Sequence, residues 1–170
     1  MVRKIEKKRK EKIVAVSGGF DPLHIGHIRL LNEAKKLGDH LVVILNNDHW
    51  LHAKKGFVFM PEKDRKEILE SLVAVDAVQI TSHVKNDPDR SVCRELLRLR
   101  PHIFANGGDR DREDAGRKSS SLNAEVILCE RLGITTVFNV GKGGKVRSSS
   151  KLVTRFREGE KRARIRRWRR

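Results

Sequence analysis

The chain has 170 residues and a formal net charge of +16, to which residues 1–12 contribute +5 and residues 151–170 contribute +8. It contains no run of about 18 apolar residues and no apolar segment behind the basic N-terminus, so we expect neither a membrane-spanning helix nor a secretory signal. Its two cysteines, Cys93 and Cys129, match no metal-binding spacing, and we expect them to be reduced in a cytoplasmic protein.

The basic residues surround a body of ordinary composition. This distribution predicts one domain over residues 12–157, between a basic tail at 1–11 and a second basic tail at 158–170. Basic tails attract nucleic acids and other anionic surfaces. Solvated ends that only improve solubility would have the same composition, so the weak attraction of nucleic acid is one of two interpretations of the tails.

Apolar runs separated by glycine and proline predict alternating strands and helices. The predicted strands cover residues 12–16, 40–45, 76–81, 102–105 and 134–138. The predicted helices cover 25–38, 61–72, 86–99, 122–132 and 148–157, with a loop or short helix at 49–56 and a flexible loop at 110–121. This alternation predicts an α/β fold, a Rossmann-like, doubly wound parallel sheet of five strands in a single domain with basic tails.

Polar and glycine residues follow three of the predicted strands. These residues are Gly18 and Gly19, residues 46–48 and residues 106–109. In open α/β sheets, ligands bind at the carboxyl ends of the strands. His24 and His27 stand where the helix after the glycines begins, and a helix start offers unpaired N–H groups and a positive dipole end to an anion. Two imidazoles three residues apart there point the same way, so the pattern predicts a phosphate site.

The segment from Gly18 to His27 carries the pattern G-x-F-D-x-x-H-x-G-H, with fixed positions at Gly18, Phe20, Asp21, His24, Gly26 and His27. This pattern resembles the signature of the cytidylyltransferase-like nucleotidyltransferases. The resemblance implies that an acceptor oxygen attacks the α-phosphorus of a nucleoside triphosphate, that pyrophosphate leaves, and that Mg²⁺ assists. The letters His-Ile-Gly-His also occur in class I aminoacyl-tRNA synthetases, but this chain is too short for a synthetase and lacks Lys-Met-Ser-Lys-Ser.

The resemblance implies roles for residues throughout the domain. The implied catalytic residues are His24, His27, Lys54 and Arg147. The implied nucleotide-binding residues are Gly18, Gly19, Phe20, Asp21, Gly26, Asn106, Gly107, Gly108, Asp109, Ser148, Ser149 and Ser150. The predicted acceptor-binding residues are Asn46, Asp48, Lys55 and Arg65, and no residue is predicted to bind a metal directly. Lys54 and Lys55 both fit the family's phosphate-contacting lysine, and Arg65 either holds the acceptor phosphate or pairs with a carboxylate.

Several substrates fit the resemblance. The segment from Met60 to Arg65 and the run Gly107-Gly108-Asp109 most resemble heptose-phosphate adenylyltransferases, which favours transfer of AMP or CMP from ATP or CTP to a phosphorylated sugar or polyol. Glycerol-3-phosphate cytidylyltransferases and FAD- or NAD-type adenylyltransferases are the alternatives, since the same motif serves their acceptors. A protein that only binds nucleic acid through its basic tails is the non-enzymatic alternative. The resemblance also allows a homodimer, and the sequence leaves the base and the acceptor open.

Overall fold

A computed structural model of the protein describes residues 10–107, 112–116, 120–141 and 149–168. The strands are β1 Ile13–Gly18, β2 His40–Leu45, β3 Ala77–Ile80, β4 Ile103–Gly107 and β5 Thr135–Val140. The helices are α1 Ile25–Lys35, α2 Asp48–Lys55, α3 Glu62–Glu70, α4 Cys93–Leu99, α5 Arg112–Gly116, α6 Ser121–Leu132 and α7 Ser149–Trp168. Strands and helices therefore alternate along the chain, as the sequence predicts.

The five strands form one parallel sheet in the order β3-β2-β1-β4-β5. The predicted fold, a Rossmann-like sheet of five parallel strands, is confirmed. The chain moves outward from β1 through β2 to β3 and then returns to the other side of β1 for β4. This reversal leaves a crevice at the carboxyl ends of β1 and β4, which is where doubly wound folds bind their ligands.

Apolar side chains cover both faces of the sheet because successive residues of a strand point to opposite faces. Val14 and Val16 of β1 lie in one core with Leu31 of α1 and Leu69 of α3. The second core contains Ala15, Ile44, Leu96, Phe104, Leu122 and Cys129, which come from the sheet, α4 and α6. We call these two sides of the sheet the α1 face and the α4 face.

The end of α1 differs from the prediction. The sequence predicts that Gly38 ends this helix, but the helix ends at Lys35. A Cβ atom at Gly38 would lie 2.7 Å from the carbonyl oxygen of Lys12, so the glycine allows the chain to pass closely beside the start of β1. Gly133, by contrast, ends α6 as predicted, with a left-handed φ of 70°.

The helix predicted over residues 86–99 begins only at Cys93. Asp87 explains the difference. Its carboxylate accepts hydrogen bonds from the N–H groups of Val84 and Asp89 and from the guanidinium of Arg94. Local side-chain bonds of this kind compete with the helical backbone, and residues 86–92 therefore lie outside the helix.

Two further helices differ from the prediction. The short helix α5 lies inside residues 110–121, which the sequence predicts as a flexible loop. The last helix, α7, continues to Trp168 instead of ending near Arg157, because its charged residues have high helix propensity. No helix in the described part of the chain combines the length and the apolar character needed to cross a membrane.

Candidate active site

The two histidines of the signature lie together at the start of α1. His24 is the last residue before the helix, and the N–H group of His27 donates a hydrogen bond of 2.8 Å to the carbonyl oxygen of His24. The imidazole rings are stacked, with centroids 3.7 Å apart and planes inclined by 14°. The Phe20 ring packs edge-on against His27, at a centroid distance of 4.9 Å. Both imidazoles therefore adjoin the positive end of the helix dipole.

His27 is held as a neutral imidazole. Burial, then the neighbouring His24 and Lys55, lower the pKa of His27 to about 3. Its Nδ1 accepts a hydrogen bond of 3.3 Å from the N–H group of His24, so the ring hydrogen is carried by Nε2. In the free protein near pH 7, His27 therefore offers a hydrogen-bond donor at Nε2 and no positive charge.

Three glycines of the signature make room for the protein's own side chains. We call residues 19–24, between β1 and α1, the signature turn. Cβ atoms at Gly18, Gly19 and Gly26 would lie 3.1, 2.7 and 3.1 Å from the side chains of Phe20, Leu51 and His24, respectively. These contacts give the glycines a packing role of their own, beside the nucleotide contact that the sequence predicts. The space left at residue 26 is occupied by the ring of His24, so a larger residue there would displace that histidine.

Asp21 connects the signature turn to the loop before α3 through hydrogen bonds. This residue is 1% exposed, and its carboxylate oxygens accept hydrogen bonds from the N–H groups of Phe59, at 2.9 Å, and Met60, at 2.7 Å. Backbone groups therefore engage both oxygens. The structure gives Asp21 a positioning role, whereas the sequence predicts contact with the nucleotide.

The two lysines at the end of α2 lie on different sides of that helix. Nζ of Lys55, a half-buried residue, donates a hydrogen bond of 3.0 Å to the carbonyl oxygen of Asp21, and burial lowers the pKa of Lys55. Nζ of Lys54 lies 4.8 Å from the centroid of the Trp50 ring. The structure thus brings Lys55, predicted to bind the acceptor, to the signature turn, and it places Lys54, predicted to be catalytic, against Trp50.

Arg65 joins three segments around the site, and we call these segments the frame of the site. It is 1% exposed, and its guanidinium donates hydrogen bonds to the carbonyl oxygens of Gly19, Asn46 and Met60 and to the carboxylate of Asp48, at 2.6 to 2.8 Å. These bonds join the glycine turn, the end of β2 and the loop before α3. Of the two predicted roles of Arg65, pairing with a carboxylate is the one that the structure shows. The structure shows Arg65 and Asp48 bound to each other, and their contact with the acceptor stays a prediction.

Two buried amides lie at the carboxyl ends of the strands that flank β1. Asn46 follows β2 and Asn106 lies in β4, and each is 3% exposed. Oδ1 of Asn46 and Nδ2 of Asn106 have no hydrogen-bond partner among the residues that the structure describes. Ser17 of β1 lies on the strand between them and is half-buried. It is not among the predicted site residues, although strand alternation places it on the face of Ala15.

The start of α7 reaches the signature turn. Oγ of Ser149 donates a hydrogen bond of 3.0 Å to the carbonyl oxygen of Pro22, which brings this one residue of the predicted serine motif to the signature turn. A Cβ atom at Gly107 would lie 2.7 Å from a methyl carbon of Leu30, so this glycine lets α1 approach β4. The other predicted residues of these segments, Gly108, Asp109, Arg147 and Ser148, and the side chain of Ser150, lie outside the described residues.

The sequence is similar to enzymes of known activity. The model of the cytidylyltransferase-like family matches residues 15–141. An FAD synthase of Thermococcus onnurineus is 38% identical over 130 residues, which are 72% of this chain and 83% of that protein. A bifunctional protein HldE of Cronobacter sakazakii is 38% identical over 125 residues, which are 72% of this chain and 25% of that protein.

A solved structure supports the same relationship. The crystal structure of the lipopolysaccharide core biosynthesis protein from Thermoplasma volcanium superposes on this chain with a TM-score of 0.58 and 27% sequence identity. The superposition covers 79% of this chain and 99% of that protein chain. The shared region therefore includes most of the sheet and of the helices around it.

Proposed function

The chain belongs to the cytidylyltransferase-like family of nucleotidyltransferases, and we propose that it transfers AMP from ATP to FMN, which yields FAD and pyrophosphate. FAD is AMP joined to FMN through a phosphoanhydride bond, so an FAD synthase forms that bond. The FAD synthase similarity extends over 83% of the archaeal enzyme, whereas the HldE similarity covers only 25% of the bifunctional protein. The similarity over most of the length of an FAD synthase supports the flavin alternative.

The observation that carries the proposal is the stacked pair of His24 and His27 at the start of α1, with Lys55 beside the same turn. A transferring phosphoryl group needs hydrogen-bond donors and cations placed where negative charge accumulates. The Nε2–H group of His27, the helix dipole and the ammonium of Lys55 supply donors of this kind. In this arrangement the histidines neutralise charge through hydrogen bonds and do not act as bases.

The bond changes follow from the reactants. A phosphate oxygen of FMN attacks the α-phosphorus of ATP in line, a new P–O bond forms, and the bond from the α-phosphorus to the bridging oxygen breaks as pyrophosphate leaves. A phosphate monoester is largely dianionic near pH 7, because its second pKa is about 6. The nucleophile therefore needs no general base, which agrees with the low pKa of His27, because an imidazole with so low a pKa is a weak base.

We infer that Mg²⁺ reaches this site on the triphosphate. Among the described residues, no three His, Cys, Asp or Glu side chains form a group that could hold a metal ion. The carboxylates nearest the turn are engaged elsewhere, that of Asp21 by backbone N–H groups and that of Asp48 by Arg65. Mg²⁺ is commonly bound by substrate phosphates and water with few protein ligands, and it would neutralise phosphate charge here.

A phosphorylated sugar is the second candidate acceptor. The HldE match and the resemblance of the segment from Met60 to Arg65 to heptose-phosphate adenylyltransferases favour it. The chemistry would be the same, since a sugar phosphate is also a dianionic nucleophile. Only the molecule attached to that phosphate would change.

The proposal is tested by supplying ATP or CTP, with and without chelator, to the purified full chain. Each triphosphate is paired with FMN, riboflavin, heptose 1-phosphate or glycerol 3-phosphate, and both pyrophosphate and the adduct are measured. We expect FAD only from ATP and FMN, and its formation should be about 100-fold or more slower with His27→Ala. Product from heptose 1-phosphate alone would replace FMN by the second candidate. Folded protein that forms no product and binds no triphosphate would contradict the enzymatic proposal.

A further inference from the structure

Three polar residues lie on neighbouring strands on the α4 face, at the carboxyl edge of the sheet. Ser17 of β1 pairs in register with Ile44 of β2, and Ala15 pairs with Phe104 of β4. Ile44 and Phe104 both belong to the core of the α4 face. Because side chains alternate, Asn46 and Asn106, each two residues further on, project to that same face beside Ser17.

The two asparagines differ from their neighbour Asn47 in how their side chains are satisfied. Asn47 is also buried, but its Oδ1 accepts from the N–H group of Trp50 and its Nδ2 donates to the carbonyl oxygens of Thr81 and His83. Oδ1 of Asn46 and Nδ2 of Asn106 find no partner in the described part of the chain. Buried polar atoms without partners are rare in proteins and call for an explanation, and at the ligand-binding edge of a sheet a bound reactant is one that would complete the hydrogen bonds.

The two unpartnered atoms suit different ligand groups. Asn46 and Asn106 are separated by β1, so their strands are about 9.5 Å apart, twice the spacing of adjacent strands. One ligand group cannot bind both, whereas two reactants that meet above β1 can each bind one. Asn106 lies in β4, on the side of the loop predicted to bind the nucleotide, which leaves Asn46 on the side of the acceptor.

The free atom of Asn46 is an oxygen, which can only accept a hydrogen bond. Phosphate oxygens and carbonyl groups cannot pair with it, but a hydroxyl or an N–H group can, and the chain beside the phosphate of FMN carries hydroxyls and no N–H. Asn46 also lies next to the phosphate turn, because its N–H group donates to the carbonyl oxygen of Gly18 at 2.9 Å and its carbonyl oxygen accepts from Arg65. The matching hydroxyl must therefore be close to the acceptor's phosphate.

We propose that Oδ1 of Asn46 accepts a hydrogen bond from a chain hydroxyl of the acceptor and thereby selects acceptors whose phosphate is attached to a hydroxylated carbon chain. This inference rests on the proposed function, since the ribityl chain of FMN carries such hydroxyls beside its phosphate. A site that holds a buried acceptor atom rejects a substrate without the matching donor, because that atom would remain unpaired.

The test compares FMN with a flavin phosphate whose five-carbon chain lacks hydroxyl groups. In the wild-type chain we expect kcat/KM for the deoxy compound to be about 10- to 100-fold lower. In Asn46→Leu, which is close in size, we expect kcat/KM for FMN to fall by a similar factor and the discrimination to shrink to about threefold or less. The KM for ATP should not change.

Asn106→Leu is the matched control, since it removes the corresponding amide on the other side of β1. We expect it to raise the KM for ATP and to leave the discrimination between the two flavin phosphates intact. Quenching of flavin fluorescence without ATP measures both dissociation constants directly, so a variant that is slow in catalysis still gives an answer. Thermal melting establishes that each variant is folded.

The two proposals fail in distinguishable ways. If the wild-type chain forms FAD and Asn46→Leu keeps the full discrimination, the role of Asn46 is wrong and the proposed function stands. If the wild-type chain binds both flavin phosphates equally well, the hydroxyl selection is also wrong. If the wild-type chain forms no FAD from FMN, both proposals are overturned.

Discussion

Two sets of buried polar side chains meet at the signature turn, and they use their hydrogen-bonding capacity in opposite ways. Arg65 and Asp21 are charged, and their bonds go to the protein itself, to carbonyl oxygens, N–H groups and one carboxylate. Asn46 and Asn106 are neutral, and each keeps one buried atom without a partner in the described residues. The charged set joins the segments around the site, and the neutral set is the one that we propose to bind the reactants.

Charge near a predicted phosphate site therefore does not by itself identify the groups that bind phosphate. A buried guanidinium is tolerated only when its donors are paired, and Arg65 pairs them within the protein. Substitutions of the frame should therefore affect stability, whereas substitutions of the ligand-facing groups should affect turnover with little effect on stability.

The largest effect should come from Arg65→Met. It would leave three carbonyl oxygens and the carboxylate of Asp48, whose side chain is 33% exposed, without their shared donor. Each buried acceptor left unsatisfied costs about 1–3 kcal/mol, so the summed loss should reach several kcal/mol. Chemical denaturation measures this free energy of unfolding. Lys66→Met is the control, because its ion pair with Glu70 spans 3.6 Å at the surface and should contribute less than about 1 kcal/mol. A stable Arg65→Met protein with only a raised acceptor KM would restore the acceptor-binding role.

His27→Ala should reduce kcat by about 100-fold or more while the protein stays folded. The reason is the loss of the Nε2–H donor beside the reacting phosphate, and one such donor is worth about 10²–10³ in kcat. His52→Ala, an exposed histidine on α2, is the matched control and should keep normal turnover. Unchanged turnover of His27→Ala would remove this residue from the catalytic assignment.

The adjacent lysines allow a paired test. Lys55→Met should lower kcat/KM by about 10- to 100-fold, because its ammonium adjoins the signature turn and a charged hydrogen bond is worth about 1.5–3 kcal/mol. Lys54→Met should stay within about twofold, since Lys54 lies over the Trp50 ring. Steady-state kinetics of both variants decides between them, and the reverse result would reinstate Lys54 as the catalytic lysine.

The last prediction concerns pH and stability, and its effect per pH unit is the smallest of the four. His27 has a pKa of about 3 when folded, below its ordinary value of 6.5, so between these values the unfolded chain binds a proton that the folded chain does not. Its contribution to stability is therefore complete above pH 6.5 and is lost as the pH falls toward 3, by at most about 1.4 kcal/mol per pH unit. His27→Gln lacks this titration, and urea denaturation from pH 7 to pH 4 should show a shallower decline. Parallel declines would mean that His27 titrates normally.

The alternation of strands and helices could be predicted from the sequence because apolar runs mark buried strands. The bounds of β2 were predicted as residues 40–45, and the structure agrees. The ends of β4 and β5 were predicted too early, since both strands continue through polar residues that still pair across the sheet, as Gly107 does with Val140. The sequence predicts a helix over residues 86–92, and this prediction is wrong. The bonds between Asp87 and Arg94 that replace the helix depend on the folded positions of both residues, which the sequence does not reveal.

The site was predictable only in part. The signature located His24 and His27 because their helix and turn are local. The sequence does not distinguish Lys54 from Lys55 as the lysine beside the signature turn. Each lies four residues after an apolar residue, Trp50 or Leu51, and both of these apolar residues are buried. Packing of Leu51 against Gly19 decides which lysine faces the turn, and this contact joins distant parts of the chain.

The residues of the site come from two parts of the chain, one before β3 and one after it. The histidines, Lys55, Arg65 and Asn46 all precede β3, whereas Asn106 and Ser149 follow it. Under the proposed function, the first part supplies the groups that contact phosphate and the β2 side of the crevice, and the second part supplies the β4 side. Mutations confined to the end of β2 can therefore change one recognised molecule without altering the β4 side. A lineage with this fold can diversify its acceptors one at a time while it inherits the same chemistry.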